Sequence, residues 1–494
     1  MSSYKLSMPA GISYLHLTLA LSTFSYAVLL SSLALYLTNL LGFTLNHANG
    51  VVALFLALNF ILHLFGGYIG SRLLSYRNLL AISLLFGVIG LYILSRPQTE
   101  YLYLGLSFFL ISCGFNSTCI NCLLTQKFKP EDNRRETAFF INYAAVNLGF
   151  FLGFVAGGYF DLHTNYKDLF QLASLVNLTA LVLTGIGWRY FNTQGEIHIS
   201  INQKSKCLLG IISIIFFLLA MLLGFQYESI ANYLVLTCGL MTLIALVCFA
   251  ILSNNVDIKH KIYAFVILTI ASILFWMLFY VGPMGVIYFL KNNTNTVFLT
   301  YKISPQWFMN LNSIFVIFGT PVIAILFSKL RAIGIKISIS KQFSFAIILI
   351  SLSFYVLSLG IHYSNALGIT AGEWIVLHFF LQSLGEILIA PVGYAMVGKL
   401  APQKLQGIMM GSWMMNSGIA VALSRYFSNL MTQTDSINPL LSNPNYLGVF
   451  NQLGWYGFLA ASFLLIISNS LQKLIPVDSQ ENTAPSITGN TVLA

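Results

Sequence analysis

Ala371–Gly398 reads AGEWIVLHFFLQSLGEILIAPVGYAMVG, an apolar run with Glu373 at its edge and a second carboxylate, Glu386, deep inside. A helix needs about 20 mostly apolar residues to cross a bilayer, and this run is long enough. A charged side chain near a bilayer centre costs roughly 2.5–3.5 kcal/mol on insertion scales, so such residues mark functional sites. Every other Asp and Glu of the chain falls in a loop or near a span end.

Thirteen more runs of this kind fill nearly all the remaining sequence. The spans are expected near 12–41, 48–70, 79–95, 101–125, 137–160, 168–191, 207–226, 232–253, 262–290, 305–328, 342–363, 371–398, 405–431 and 446–471. Of the 494 residues, 57% are hydrophobic and 8% are charged. A soluble domain averages about 25% charged residues, so this composition excludes a water-covered globule and points to a polytopic membrane protein. The net charge of +10 is spread along the chain, so a nucleic-acid partner is not expected. The first apolar run exceeds the 7–15 residues of a signal-peptide core, roughly, and is expected to remain as a membrane anchor.

Six cysteines lie in or beside apolar runs, and the Cys119–Cys122 pair reads as small residues packing within a helix. The sequence shows no metal cluster, nucleophile–base pair or phosphate loop, so no cofactor, no metal and no enzymatic activity are expected.

An even number of spans puts both termini on one side. That side carries 19 Lys and Arg, and the other carries five: Arg96, Lys167, Lys291, Lys302 and Arg425. The positive-inside rule then places both termini in the cytoplasm, with the protein integral to the cytoplasmic (inner or plasma) membrane. The charge-rich loops are 127–136 and 192–206, and the second divides the spans into six, two and six. The expected organisation is a six-helix bundle over 12–191, two linker helices over 207–253, a second six-helix bundle over 262–471 and a flexible cytoplasmic tail over 476–494. Six plus six is the plan of a facilitator that rocks about a central site.

Gly149, Gly153 and Gly157 recur every fourth residue, which lets two helix backbones approach closely, and Gly66–Gly70 and Gly407–Gly411 repeat the spacing. Pro283, Pro321 and Pro391 interrupt three spans. Each removes an i→i−4 hydrogen bond and frees a carbonyl; the one freed by Pro391 is that of Ile387, beside Glu386.

His378, Gln382 and Glu386 share one helix face. Such a stripe should face the bundle interior or a water-filled path. There Glu386 either loads and releases a proton or stays ionised and pairs with a cationic group of a solute. Uncharged polar and aromatic faces occur at Ser22–Tyr26, Ser112–Ser117, Tyr143–Asn147, Trp276–Tyr280, Asn310–Asn312 and Trp413–Ser417. Together they can line a cavity for a small polar solute, whereas each alone reads as interhelical glue. His63 reads as a helix-packing histidine.

Several words then resemble the proton-dependent oligopeptide transporter family of the major facilitator superfamily. FSYAVLLSSLALYLTNLLGF (Phe24–Phe43) is similar to its first helix, and GGYIGSRLLSYR (Gly66–Arg77) to its second helix and the following loop. NYAAVNLGFFLG (Asn142–Gly153) resembles the FYxxINxG signature. FWMLFYVG, PQWFMNLNSIFVIFGTPVIAIL and GIMMGSWMMNS stand in family order, and SLGEILIAPVGYAMVGKLAP (Ser383–Pro402) is the most specific match.

The resemblance implies an all-α facilitator fold, two six-helix bundles plus two central helices, and proton-driven uptake of small peptides by alternating access. It implies that Glu386 binds a peptide amino terminus, that Asn147 and Asn312 hold the backbone, that Tyr26 lines the pocket, and that Trp276 and Trp413 wall it.

The departures are chemically consistent with one another. The family's ExxER positions read Leu19, Ser22 and Thr23. Its first-helix arginine aligns with Leu30, its fourth-helix lysine with Ser117, its ninth-span acid with Tyr280, a pocket tyrosine with Phe60 and a loop acid with Ser71. Partners on both sides of the outer gate are neutral, so neither charge is stranded. Glu386 is left as the coupling group, with His378 as a helper and Gln382 beside it. Charge bookkeeping favours a substrate with an amine and no free carboxylate: a small peptide, an amino acid or another amine. The partners expected are that solute, protons and the lipid bilayer. The alternatives are an uncoupled amino-acid facilitator, or a solute sensor or scaffold built on a transporter fold.

Overall fold

The computed structural model describes residues 8–128, 132, 134–191, 201–298, 300–335, 337–400, 406–434 and 436–474. The tail from Pro476, and residues 192–200 of the loop expected to divide the halves, lie outside them.

Fourteen long helices follow one another among the described residues: α1 Ile12–Leu40, α2 Leu45–Arg72, α3 Tyr76–Leu94, α4 Thr99–Gln126, α5 Arg134–Leu162, α6 Tyr166–Ile186, α7 Ile201–Gln226, α8 Glu228–Leu252, α9 Val256–Asn292, α10 Pro305–Ala332, α11 Ile339–His362, α12 Gly372–Leu400, α13 Gln406–Met431 and α14 Pro439–Leu474. Thirteen are long and apolar enough to cross a membrane; α13, 26 residues long, packs among them. A bilayer core offers no water to backbone polar groups, so a chain this apolar satisfies them within helices. Where helices start, side chains accept from free N–H groups: Thr44 from His47, Ser75 from Asn78, and Asn255 from Asp257 and Ile258.

Several boundaries differ from expectation: α6 ends at Ile186 instead of 191, and α7 begins at Ile201 instead of 207. α14 begins at Pro439 instead of 446, because Ser442, Asn443 and Asn445 depress the hydropathy of a turn that is nevertheless helical. α9 begins at Val256, and α10 continues to Ala332. Between α9 and α10 a short hairpin pairs Val297 with Lys302.

In the first half α1 packs on α5 and α6, and α3 on α4 and α6; in the second, α11 packs on α12 and α14. The glycine stripe explains the first of these contacts. A methyl group at Gly149 would stand 2.5 Å from the Ala20 carbonyl oxygen, and one at Gly153 would stand 2.6 Å from Ala27 Cβ. Only glycine lets the α1 and α5 backbones come so close. The two halves meet through α2 against α13 and α5 against α10.

The α7–α8 hairpin lies outside the two bundles. Leu208, Leu209, Phe216, Leu219, Leu240 and Met241 are exposed on it, as expected of a surface solvated by lipid tails. Its α8 end is nonetheless tied to both halves. Asn232 donates to the Gly50 carbonyl in α2 at 3.2 Å, and Arg425 of α13 meets Glu228 at 2.9 Å.

Candidate functional site

Between the halves lies a cavity of about 340 Å³. Its floor and walls come from α1, α2, α5, α9, α10 and α12, so each half supplies three helices. Pro283 falls in a π-helical stretch, Gly282–Val286, where the Val286 N–H reaches back to Val281. That irregular backbone faces the cavity at Gly282 and Pro283, which matches the rule that broken helices at membrane depth line a solvated space.

The carboxylate is on the wall. Glu386 Oε2 accepts from Asn312 Nδ2 at 2.9 Å, and the same amide group also donates to Ser383 Oγ at 2.9 Å. Ser383 in turn donates to the Phe379 carbonyl one turn earlier at 2.7 Å. The carboxylate is thereby oriented by α10 while Glu386 remains part of the cavity surface. No Lys or Arg lines this cavity among the described residues.

Aromatic rings make up most of the rest. Trp276 stacks on Tyr280 with centroids 5.8 Å apart, Tyr280 meets Phe60 of the opposite half at 5.8 Å, and Tyr26 packs edge-on against Phe150 at 6.0 Å. Asn147 gives one N–H to the Tyr143 carbonyl at 2.9 Å, which leaves its carbonyl oxygen for a ligand.

Of the residues singled out from sequence, Glu386, Gln382, Asn147, Asn312, Tyr26, Trp276 and Tyr280 line this one cavity. Ser117 lines a smaller chamber beside it. Two others stand elsewhere. Trp413 is buried against Phe343 and over Gly393, where a methyl group would come within 2.0 Å of its ring, so it wedges α13 against α11 and α12 and is not part of this cavity's lining. His378 is 1% exposed; its Nδ1 donates to the Ser353 carbonyl at 3.0 Å and its ring packs on Phe354, so it ties α12 to α11 off the cavity. Eight residues separate His378 from Glu386, and over that length the stripe has rotated out of the lining.

Sequence reading passed over Asn59 and dismissed His63, and both line the cavity, as does Tyr143 of the polar face expected on α5. Asn59 carries a polar group amid apolar neighbours, which in a bilayer protein is the signal that would have found it.

The halves are sealed together at the face away from the termini. Trp307 Nε1 donates to the Val155 carbonyl at 3.1 Å, Asn310 to Phe151 at 3.1 Å, Tyr288 to Ala34 at 3.3 Å, and Asn49 to Asn429 at 3.0 Å. Lys291 Nζ donates to Asn39 Oδ1 at 2.5 Å, and Asn39 donates to the Tyr166 hydroxyl, which donates to Asp161. Nearer the termini a groove with exposed Phe140, Leu148 and Phe318 in its lining runs along the α5–α10 seam, and the Tyr143 and Thr320 side chains meet across it. Its volume is about 570 Å³, with Tyr143, Asn147 and Leu148 on one side and Ile317, Thr320 and Pro321 on the other.

A family model described as PTR2, POT family, matches residues 77–455. The chain is 27% identical over 458 residues to dipeptide and tripeptide permease A of Chromobacterium violaceum, with 91% of each covered. It is 27% identical over 471 residues to dipeptide and tripeptide permease B of Salmonella typhimurium, covering 93% of this chain and 94% of that one. Among solved structures, a peptide transporter POT in complex with sulfate superposes with a TM-score of 0.84 at 23% identity, covering 95% of this chain and 96% of that one. A POT family transporter in complex with 5-aminolevulinic acid gives 0.82 at 21%, covering 94% and 98%. The fourteen helices, the cavity shared by two six-helix halves and a family match running from α3 into α14 agree: the chain is an integral membrane protein of the POT family.

Proposed function

We propose that this chain is a secondary transporter that moves small peptides, or solutes bearing a similar amine, by alternating access, and that Glu386 is where the substrate ammonium or a proton docks. It is not an enzyme in this reading. The observation that carries the reading is a carboxylate on the wall between the two halves, aimed by Asn312, in a cavity without a lining Lys or Arg. An isolated ionised carboxylate is unfavourable at such a place, so it calls for a cation, either a proton or an ammonium group. The dipeptide permease relatives, similar over nine-tenths of the chain, support peptides as the substrate class.

The moving bodies are 12–191 and 262–471, with 207–253 as linker helices, and the face that carries the termini is cytoplasmic. The far-face seal then corresponds to a state closed to the outside. A carboxyl that has taken a proton, or paired with an ammonium, no longer resists passage of the cavity through a sealed state.

The test is uptake of a labelled dipeptide into proteoliposomes, with and without an inward proton gradient. Glu386→Gln is expected to lower uptake at least tenfold. Unchanged uptake by that variant removes Glu386 from the mechanism. Ligand binding by the wild-type protein without any flux favours the sensor reading instead.

A further inference from the structure

The central cavity and the groove on the α5–α10 seam share a wall. Tyr143 and Asn147 of α5 line both. Tyr143 stands within electrostatic reach of Glu386 on the cavity side and meets Thr320 of α10 across the seam. Its side chain is itself exposed. A single layer of side chains therefore separates the buried carboxylate from the lipid-facing surface of the molecule.

The two spaces differ in chemistry. The cavity holds Glu386, Asn312 and Gln382. The groove is the larger, at about 570 Å³ against about 340 Å³. Past Tyr143, Asn147 and Thr320 its lining is apolar, with Phe140, Leu148 and Phe151 on α5 and Ile314, Ile317 and Phe318 on α10. From Phe140 to Phe151 it follows α5 for roughly 16 Å at the helical rise per residue. A peptide backbone lying there would strand its N–H and C=O groups in hydrocarbon, whereas an alkyl chain strands nothing.

The wall is placed where the structure can yield. Pro321, in the groove lining, leaves the Ile317 carbonyl without its helix hydrogen bond, and Thr320 Oγ1 donates to the Val316 carbonyl at 2.7 Å. Both features favour bending of α10 at this point. The contact between Tyr143 and Thr320 also lies on the boundary between the two halves, because α5 belongs to one and α10 to the other.

Charge selects the occupant. Glu386 calls for an ammonium, and no Lys or Arg lines the cavity or the groove among the described residues to hold an anionic group as well. The way from Glu386 past Tyr143 leads into an apolar track open to lipid tails. A ligand that matches both ends is cationic at one and hydrocarbon at the other.

We infer that the solutes held at Glu386 include cationic amphiphiles, with the ammonium on the carboxylate and a hydrocarbon tail running past Tyr143 into the α5–α10 groove. The inference rests on the amine reading above and extends it from solutes that fit inside the cavity to solutes that protrude from it. The tail gains little over its place among lipid chains, which are as apolar as the groove. The groove therefore acts by admitting the tail, and so lifts the size limit that a closed cavity would set. It also lets such a solute reach the site sideways from the leaflet beside α5 and α10.

The experiment uses the full-length protein in lipid nanodiscs and two esters of alanyl-alanine, each with a free amine and no carboxylate. One is the methyl ester; the other is a dodecyl ester with a diazirine at the end of its chain. On illumination the dodecyl ester is expected to label residues within 140–151 and 314–324. Excess methyl ester, which occupies Glu386 but leaves bulk lipid in place, should lower that labelling by about tenfold. Ala144→Trp and Ala324→Trp each put an indole into the groove at an exposed position outside the cavity lining. Both variants should bind the methyl ester like the wild type and the dodecyl ester about tenfold more weakly, as read by displacement of a labelled dipeptide. Labelling that the methyl ester does not displace would mean that the groove holds bilayer lipid only, and overturns the inference. So does a wild type that binds the methyl ester and rejects the dodecyl ester, or a dodecyl ester that both variants bind as tightly as the wild type. Loss of both esters by both variants overturns it too, since filling a groove reserved for a tail spares a ligand without one. Each of these results leaves the amine reading standing. Failure of the wild type to bind the methyl ester and alanyl-alanine alike overturns the inference and that reading together.

Discussion

Replacing Gly158 by Ala tests whether the far-face seal is a tightly fitted contact. A methyl group there would stand 2.2 Å from Trp307 Nε1, 2.4 Å from Cδ1 and 3.0 Å from Cε2. Ordinary carbon contacts begin near 3.5 Å, so α5 and α10 must separate locally by roughly 1 Å, or the indole must swing aside. Either movement breaks the 3.1 Å bond from Trp307 to the Val155 carbonyl, because a hydrogen bond does not survive that extension. Overpacking of this kind costs about 1–3 kcal/mol. The cost falls on the sealed state alone, since the methyl group has room once the halves part. The ratio of sealed to open protein should therefore fall by about five- to 150-fold. Spin labels at Thr164, in the loop after α5, and at Val297, exposed in the hairpin before α10, report the separation by pulsed electron resonance. The variant should populate a longer distance that the wild type shows weakly or not at all. An unchanged distance distribution would refute the idea that this contact holds the face shut.

Two further outcomes are expected. Asn312→Ala removes a donor to a charged acceptor, a bond worth about 1.5–3 kcal/mol, so the affinity for an amine-bearing ligand should drop about tenfold or more in a titration of the purified protein; an affinity within twofold of wild type would detach Asn312 from the site. Glu228 and Arg425, whose side chains are 12% and 17% exposed, should be coupled: Glu228→Gln and Arg425→Gln should each lower the thermal unfolding midpoint in detergent, while the double variant loses less than the two combined, and additive losses would show that the pair does not brace the linker hairpin.

The helices were legible because the bilayer imposes them. Wherever water is excluded, a chain must supply about 20 apolar residues and satisfy its own backbone, and both demands leave a pattern in composition. The glycine stripe was legible for a similar reason, since close approach to the Ala20 and Phe24 carbonyls admits no other residue at Gly149 and Gly153. Glu386 announced itself through its cost.

What escaped was long-range and neutral. The seal uses side chains such as Trp307 and Asn310 against backbone carbonyls more than 150 residues away, and a carbonyl has no letter in the sequence. His63 read as packing because its bond to Gly114 is packing, although the same residue also lines the cavity. Trp413 and His378 misled in the opposite direction. His378 lies two turns before Glu386 on the same helix, where the lining has drifted past it, and Trp413 lies on α13, which sends none of the described residues into the cavity lining. Periodicity gives the angle between residues on one helix and not the azimuth of the helix itself.

The broken stretch at Gly282–Val286 has a consequence for how news of occupancy travels. The part of α9 before the break carries Trp276 and Tyr280, against which a guest would press, and the part beyond it carries Tyr288 and Lys291, which clasp the opposite lobe. An unbroken rod would have to carry both loads as one piece. A rod with a soft joint works as a crank, in which pressure on the inner arm swings the outer arm and loosens its grip, so the molecule can feel its cargo and release its latch through a single helix.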